Sequence, residues 1–382
     1  MMFGDFMKRI LLSIILALNI TCCAYGEQPQ INAASGILMD IKSGQVLWEK
    51  NATEPMAMAS TTKIMTATIA LEMGNLEDTV CVSERASQAP PVKMHLSRGE
   101  NISLENLLYA MMLESANDSA VAIAEHIAGS VEEFATLMNN KARELGCKDT
   151  VFVTPNGLDS GDHHSTAYDM ALITRYALNN DKFAEIINTR NISFSSDKKA
   201  YSMVNKNRLL NEYEGAFGVK TGFTGKAGHC FVGAARREDS SYISVVLASG
   251  WGSTGKAKKW SDTKEILNYG FDNFQKKVLY EMGYSCGQLS VENSKVKQVE
   301  LVLENDVTAL INKDGSDKVD IIFSLPESLI APVEKNQTVG LACVRVNGQT
   351  VGNVGIATAD KAEKLTFTDY LKKIFENWLN IL

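Results

Sequence analysis

Apolar residues alternate with polar ones over residues 34–48 around Ser43-Gly44, a period of two that predicts a β-hairpin. The period then lengthens. A helix is predicted to open at Ser60 and run to Gly74, and Leu104, Leu107, Leu108, Met111 and Met112 mark another. That second helix is interrupted at Glu114-Ser115 and followed by an Ala-rich one ending near Gly129. The first half is therefore mostly helical. Residues 216–220, 230–236 and 242–248 read as three strands closed by a helix over 256–269, an order that returns the chain to the N-terminal hairpin. One sheet covered by helices fits this pattern. Beyond Val278 the texture changes to short β-rich runs at 299–303, 319–323 and 339–346. Asn347-Gly348 follows the last of them, a strong hairpin signal because both residues tolerate positive φ.

The ends of the chain carry different patterns. Lys8 and Arg9 precede an apolar run over 10–20, too short to span a bilayer but suited to the core of a signal peptide. Ala24-Tyr25-Gly26 then supplies small residues for cleavage before Glu27, so 1–26 is expected to be removed and the mature protein exported. Met7 is as suitable an initiator as Met1, and Ile20-Thr21 makes a poor lipobox for Cys22 or Cys23. At the other end Phe367, Tyr370, Leu371, Ile374, Phe375, Trp378 and Leu382 recur at helical spacing, opposite Asp369, Lys372, Lys373, Glu376 and Asn380. Such a helix either docks on its own domain or lies in a membrane surface, and the aromatic apolar face favours the membrane. The expected segments are 1–26 signal peptide, 27–276 catalytic domain, 277–362 β-rich domain and 363–382 membrane-anchor helix, with the protein peripheral on the outer face of the cytoplasmic membrane.

Composition narrows the field. The 382 residues are 45% hydrophobic and 22% charged, which excludes a disordered polymer and gives enough chain for two domains. A net charge of -7 without a Lys/Arg tract argues against nucleic acid as a partner. Outside the signal region Cys81, Cys147, Cys230, Cys286 and Cys343 are scattered, odd in number and without metal-like spacing, so they are read as small buried hydrophobes. His163-His164 lacks a His-Glu-x-x-His context, and neither a metal nor a cofactor is expected.

Three short motifs occur in order: Ser60-Thr61-Thr62-Lys63, Ser115-Ala116-Asn117 and Lys220-Thr221-Gly222. Each alone is weak, but their order and contexts reinforce one another. Ser60 and Lys63, three apart on a helix, share a face, so a neutral lysine can take the serine proton. The helix N-terminus favours negative charge developing on the attacking oxygen. Ser115 and Asn117 sit at a break between helices, where the hydroxyl can relay protons and the amide can hold a substrate amide. They would equally serve as a cap and a turn former. Lys220 and Thr221 on a strand at the cleft edge can bind a carboxylate, and Gly222 leaves room for a substrate backbone alongside.

The trio resembles that of penicillin-binding proteins and class A β-lactamases. Further stretches, Thr154-Pro155-Asn156-Gly157-Leu158, Ser165-Thr166-Ala167-Tyr168-Asp169-Met170-Ala171 and 220–229, resemble the low-molecular-weight D-alanyl-D-alanine carboxypeptidases. The resemblance implies an α/β (α+β) fold in which an antiparallel sheet is covered by helices, with a small C-terminal all-β domain. It also implies a serine enzyme acting on the peptidoglycan pentapeptide stem, with β-lactam antibiotics as inhibitors. Ser60 would be the acylated nucleophile and Lys63 its base; Ser115, Asn117, Lys220, Thr221 and Gly222 would complete the cleft, and the amides of Ser60 and Phe223 would form the oxyanion hole. Where a family member would often carry an arginine for the substrate carboxylate, before the helix ending at 269–271, this chain has Lys258 and Lys259, which keep the charge without the bidentate fork. A β-lactamase of the same fold is the nearest alternative, although residues 150–170 hold Asp159, Asp162 and Asp169 and no glutamate. A catalytically silent cell-wall binding protein is the other.

Overall fold

The computed structural model describes residues 28–379. The expected signal peptide, with Cys22 and Cys23, and Leu382 lie outside the described residues. The N-terminal hairpin pairs β1 (Ser35–Asp40) with β2 (Val46–Lys50). After the helical region the chain returns as β3 (Ala216–Thr224), β4 (Gly228–Arg237) and β5 (Ser240–Leu247), giving one antiparallel sheet in the order β2-β1-β5-β4-β3.

The central strands are buried on both faces, which explains their nearly continuous apolar runs. Along β4, Cys230, Val232 and Ala234 enter one core while Phe231 and Ala235 enter the other. Along β5, Ile243, Val245 and Leu247 alternate in the same way with Tyr242 and Val246. The larger core lies under α1 (Lys63–Met73), α2 (Leu104–Leu113), α3 (Asn117–Ala128), α4 (Val131–Glu144), α5 (Ala167–Ala177) and α6 (Asp181–Asn188). The opposite face is covered by α7 (Gly252–Asn273), which buries Trp260, Ile266 and Leu267. Asp262 of this helix accepts the amides of Asn32 and Ala33, so the start of the chain is tied to the same layer.

From Phe274 onward the structure is all β until the last helix. β6 (Phe274–Tyr280) pairs with β9 (Val307–Asn312). β7 (Ser285–Glu292), β8 (Gln298–Leu303), β10 (Val319–Ser324), β11 (Leu329–Ile330), β12 (Thr338–Val346) and β13 (Gln349–Thr358) form a second sheet, ordered β10-β12-β13-β8-β7-β11. Its own core includes Leu301, Val344 and Ile356. The β12–β13 turn is the predicted one, with Asn347 at φ 51° and Gly348 at φ 81°. α8 (Phe367–Leu379) follows.

Three expectations need correction. The helix expected over 256–269 starts at Gly252, and Lys258 and Lys259, expected before the helix ending at 269–271, lie within α7. The ribbons pairing Thr79–Cys81 with Asn101–Ser103 and Asn191–Ser195 with Ala200–Val204 were not anticipated. The five cysteines among the described residues are free, but of these only Cys230 and Cys286 are buried: Cys147 and Cys343 are half-buried and Cys81 is exposed at the end of its ribbon.

Candidate active site

Ser60 does not stand in the first turn of an α-helix. It sits in a 3-10 turn, Ala59–Thr62, and Lys63 is the first residue of α1. The turn is pinned from within, because the hydroxyls of Thr61 and Thr62 donate to the carbonyls of Met58 (2.7 Å) and Ala59 (2.8 Å). It leaves the Ser60 hydroxyl half-buried at the cleft, 3.0 Å from the Lys63 amine, on the shared face that three-residue spacing predicts.

Lys63 is completely buried. Its Nζ donates to Asn117 Oδ1 at 2.7 Å and to the main-chain carbonyl of Asn156 at 2.5 Å. Burial lowers its pKa well below the usual lysine value, the charge of Lys220 lowers it further, and Asp118 partly opposes both. A neutral amine has two N–H donors and one lone pair. The Ser60 hydroxyl also lies 3.3 Å from the Asn156 carbonyl, so a neutral Lys63 whose two N–H groups stay on Asn117 and Asn156 would turn its lone pair to Ser60 Oγ.

The carbonyl of Asn156 is a partner that side-chain reasoning missed. It is presented by the stretch 154–158, held against α1 by Thr66 Oγ1 donating to Pro155 O (2.6 Å) and by the contact of Thr62 Oγ1 with His163 Nε2 (2.9 Å). Burial pushes His163 down to about 4, so its ring is neutral and serves this contact. Gly157 sits at φ 83°, and a Cβ there would lie 2.0 Å from Ala59 O. Only glycine lets the stretch approach the Ser60 turn this closely. The Asn156-Gly157 pair was the available signal, but it marks a turn and not a carbonyl aimed at a lysine.

At the break between α2 and α3, Ser115 adopts φ 68° and its hydroxyl has no hydrogen-bond partner among the described residues. Asn117 has protein partners as well. Its Oδ1 holds Lys63, and its Nδ2 donates to Pro90 O at 3.0 Å, so the amide braces Lys63 against the 90s loop. Asp118 fixes that loop by accepting the amides of Met94 and Leu96 at 3.1 Å each.

The third motif lies on β3, the edge strand. Lys220 is buried, with its Nζ donating to Thr221 O at 3.1 Å, and burial together with Lys259 pushes it down to about 7. A Cβ on Gly222 would meet Met58 O at 3.1 Å and Ser60 N at 3.2 Å, so the strand crosses directly over the Ser60 turn. Thr221 is half-buried beside it, and Phe223 is half-exposed, stacked on His229 of β4 with ring centroids 4.4 Å apart. The strand end is braced by Thr224 Oγ1 donating to Asp159 Oδ1 (2.9 Å). Lys259 lies nearby on α7, buried over Trp260 at 4.6 Å and pushed down to about 8 by burial.

The structure thus gathers Ser60, Lys63 and Asn117 by direct contact and lays Gly222 against Ser60 N. A family model described as D-alanyl-D-alanine carboxypeptidase matches residues 24–250, and one described as the C-terminal domain of penicillin-binding protein 5 matches 274–364. The chain is 32% identical to D-alanyl-D-alanine carboxypeptidase DacF of Bacillus subtilis, over 97% of this chain and 99% of that one. It is 31% identical to D-alanyl-D-alanine carboxypeptidase DacA of Escherichia coli, over 97% of each. Penicillin binding protein 5 from Haemophilus influenzae superposes with a TM-score of 0.72 at 30% identity, over 88% of this chain and 99% of that structure. By these matches the chain belongs to the D-alanyl-D-alanine carboxypeptidase family.

Proposed function

We propose that the protein is a serine D-Ala-D-Ala carboxypeptidase that removes the terminal D-alanine from peptidoglycan pentapeptide stems. The observation that carries this is the buried Lys63 amine, held by Asn117 Oδ1 and the Asn156 carbonyl at 3.0 Å from Ser60 Oγ. Lys63 takes the Ser60 proton as Oγ adds to the carbonyl of the penultimate D-alanine. The amides of Ser60 and Phe223 receive the oxyanion, and Lys220 with Thr221 receives the terminal carboxylate. Collapse breaks the peptide bond, and the proton held on Lys63 passes through Ser115 to the departing D-alanine nitrogen. Water then attacks the ester, gives up a proton to Lys63 and releases the shortened stem, and Ser60 Oγ recovers its proton.

A β-lactam offers the same site a strained amide and a carboxylate, so benzylpenicillin should acylate the protein stoichiometrically. Mass spectrometry of the intact protein should show one adduct, absent in Ser60→Ala; an adduct that persists in that variant removes Ser60 from its role. Release of D-alanine from an acylated D-Ala-D-Ala peptide should disappear in the same variant. A β-lactamase role is disfavoured because the carboxylates of residues 150–170 are engaged elsewhere. Asp159 accepts from Thr224, Asp169 from the amides of Lys148 and Asp149, and Asp162 pairs with His164 at 3.2 Å.

The segments extend this reading: 1–26 directs export and is removed, 27–276 carries the chemistry, 277–362 is the β domain and 363–382 holds the enzyme to the outer face of the cytoplasmic membrane. Among the described residues no helix is long and apolar enough to cross a membrane. In α8, Phe367, Ile374 and Phe375 are each more than 60% exposed, and Tyr370 and Leu371 are at least 40% exposed. Trp378, whose side chain is not described, and Leu382, outside the described residues, would extend the same face. Each such side chain contributes roughly 1.5 to 3 kcal/mol when withdrawn from water, so a few suffice for reversible attachment. Truncation after Lys361 should release an active enzyme that no longer floats with liposomes. Flotation of the truncated protein would place the attachment elsewhere.

A further inference from the structure

Beyond Gly222 the cleft edge carries two exposed aromatic rings that the chemistry above leaves unused, Phe223 and Trp251, 50% and 56% exposed. Neither ring is loose. Phe223 rests on the buried His229. Trp251 donates its indole Nε1–H to Gly225 O at 2.8 Å, and one edge of its ring covers Gly228, where a Cβ would lie 3.2 Å from Cε2 and 3.4 Å from Cζ2. His229 secures the following residue, its Nε2 lying 3.1 Å from Gly252 O. The glycine at 228, at φ 65°, therefore makes the seat and the β3–β4 turn supplies the tether, so the indole is fixed with its apolar surface in solvent.

We infer that Phe223 and Trp251 form a fixed aromatic shelf that receives the stem residue preceding the D-alanyl-D-alanine pair, through its side-chain methylenes, and so sets preference for longer stems. This rests on the proposed carboxypeptidase function, and the polarity of that site gives the direction. The terminal carboxylate lies toward Lys220 and Thr221 and the reacting carbonyl at Phe223, so the acyl arm runs on past Phe223 toward Gly225. Two residues of strand cover about 7 Å, the reach of roughly one dipeptide unit. That length brings the preceding residue to the ring tied to Gly225. Aromatic faces bind methylene chains by excluding water and need no charge to do so.

The test compares two substrates, an N-acetyl-D-Ala-D-Ala dipeptide and a tripeptide with Nα,Nε-diacetyl-L-lysine before the same pair. Rates are expressed per site titrated with benzylpenicillin, which removes any misfolded fraction. The wild-type enzyme should favour the tripeptide in kcat/KM by about tenfold or more, and Trp251→Ala should reduce that ratio about tenfold. Trp251→Phe, which keeps a ring but loses the tether to Gly225, should fall between. Equal use of the two substrates by the wild type, or an unchanged ratio in Trp251→Ala, overturns the shelf while leaving the carboxypeptidase reading intact. Failure of benzylpenicillin to label the wild type, or of either peptide to release D-alanine, overturns that reading and the shelf with it.

Discussion

Lys63 and Lys220 are both enclosed lysines in one cleft, the first on a helix and the second on the edge strand above it, and they are held in opposite ways. Lys63 meets two fixed acceptors and a hydroxyl. Lys220 meets one carbonyl, that of its own neighbour Thr221. Burial lowers both, since an ammonium loses its hydration inside the protein. For Lys63 the result is a base with its donors saturated. For Lys220 it is an amine with unused donors, whose proton is stabilised when an anion arrives. Lys141 and Lys182, each between two carboxylates near the surface, are held above the usual lysine value instead. The environment, more than the residue type, assigns the proton.

The largest expected effect is on the base. Lys63→Ala should slow acylation by benzylpenicillin by about 100- to 10,000-fold, the usual range for a positioned general base, with little change in thermal unfolding midpoint beyond that of a buried truncation. A normal single-turnover rate would assign the proton to another group. Lys220→Ala should be milder, lowering kcat/KM for a D-Ala-D-Ala peptide by about 10- to 100-fold through the lost charge-assisted contact. It carries a second signature. Lys220 is one cause of the lowered Lys63 pKa, so removing its charge raises that pKa, and the neutral base then forms only at higher pH. The acid limb of the acylation profile should move to higher pH in Lys220→Ala. An acid limb that stays in place would separate the two lysines electrostatically and undo the comparison.

Much of this arrangement was legible in the sequence, and the parts that were not share a physical cause. Ser60 with Lys63, the break at Ser115, the β3 to β5 run and the Asn347-Gly348 turn are marked by side chains and by periods of two or 3.6. Asn156 contributes a main-chain carbonyl, which has no residue signature, and it reaches Lys63 only because Gly157 allows the contact. The further role of Asn117 as a brace for Lys63 depended on Pro90, a neighbour distant in sequence. The ribbon over Asn191–Val204 did leave a signal, since Ile192 with Phe194 and Tyr201 with Met203 alternate on either side of a polar turn. The early start of α7 was obscured by Gly252 and Gly255, poor helix formers that the backbone favours here: Gly252 sits at φ 61°, and a Cβ at 255 would lie 2.2 Å from the Gly250 carbonyl carbon.

The smallest expected effect sharpens the comparison from the Lys220 side. After burial, Lys259 is the remaining cause of the lowered Lys220 pKa of about 7, and it lies on α7, whose Trp260 packs on Phe231 of β4, the strand next to the one that carries Lys220. Lys259→Met keeps length and apolar packing over Trp260 while removing the like charge, so the pKa of Lys220 should rise. Lys220 carries its proton below that pKa and loses it above. The alkaline limb of kcat/KM, where free enzyme no longer offers a charged amine to the carboxylate, should therefore move to higher pH, with the plateau changed by less than about twofold. The limb of kcat should lie higher still in both proteins, because a bound carboxylate stabilises the protonated amine. An alkaline limb unmoved by Lys259→Met would mean that a group other than Lys220 sets it, and would leave Lys220 without the switchable charge that distinguishes it from Lys63.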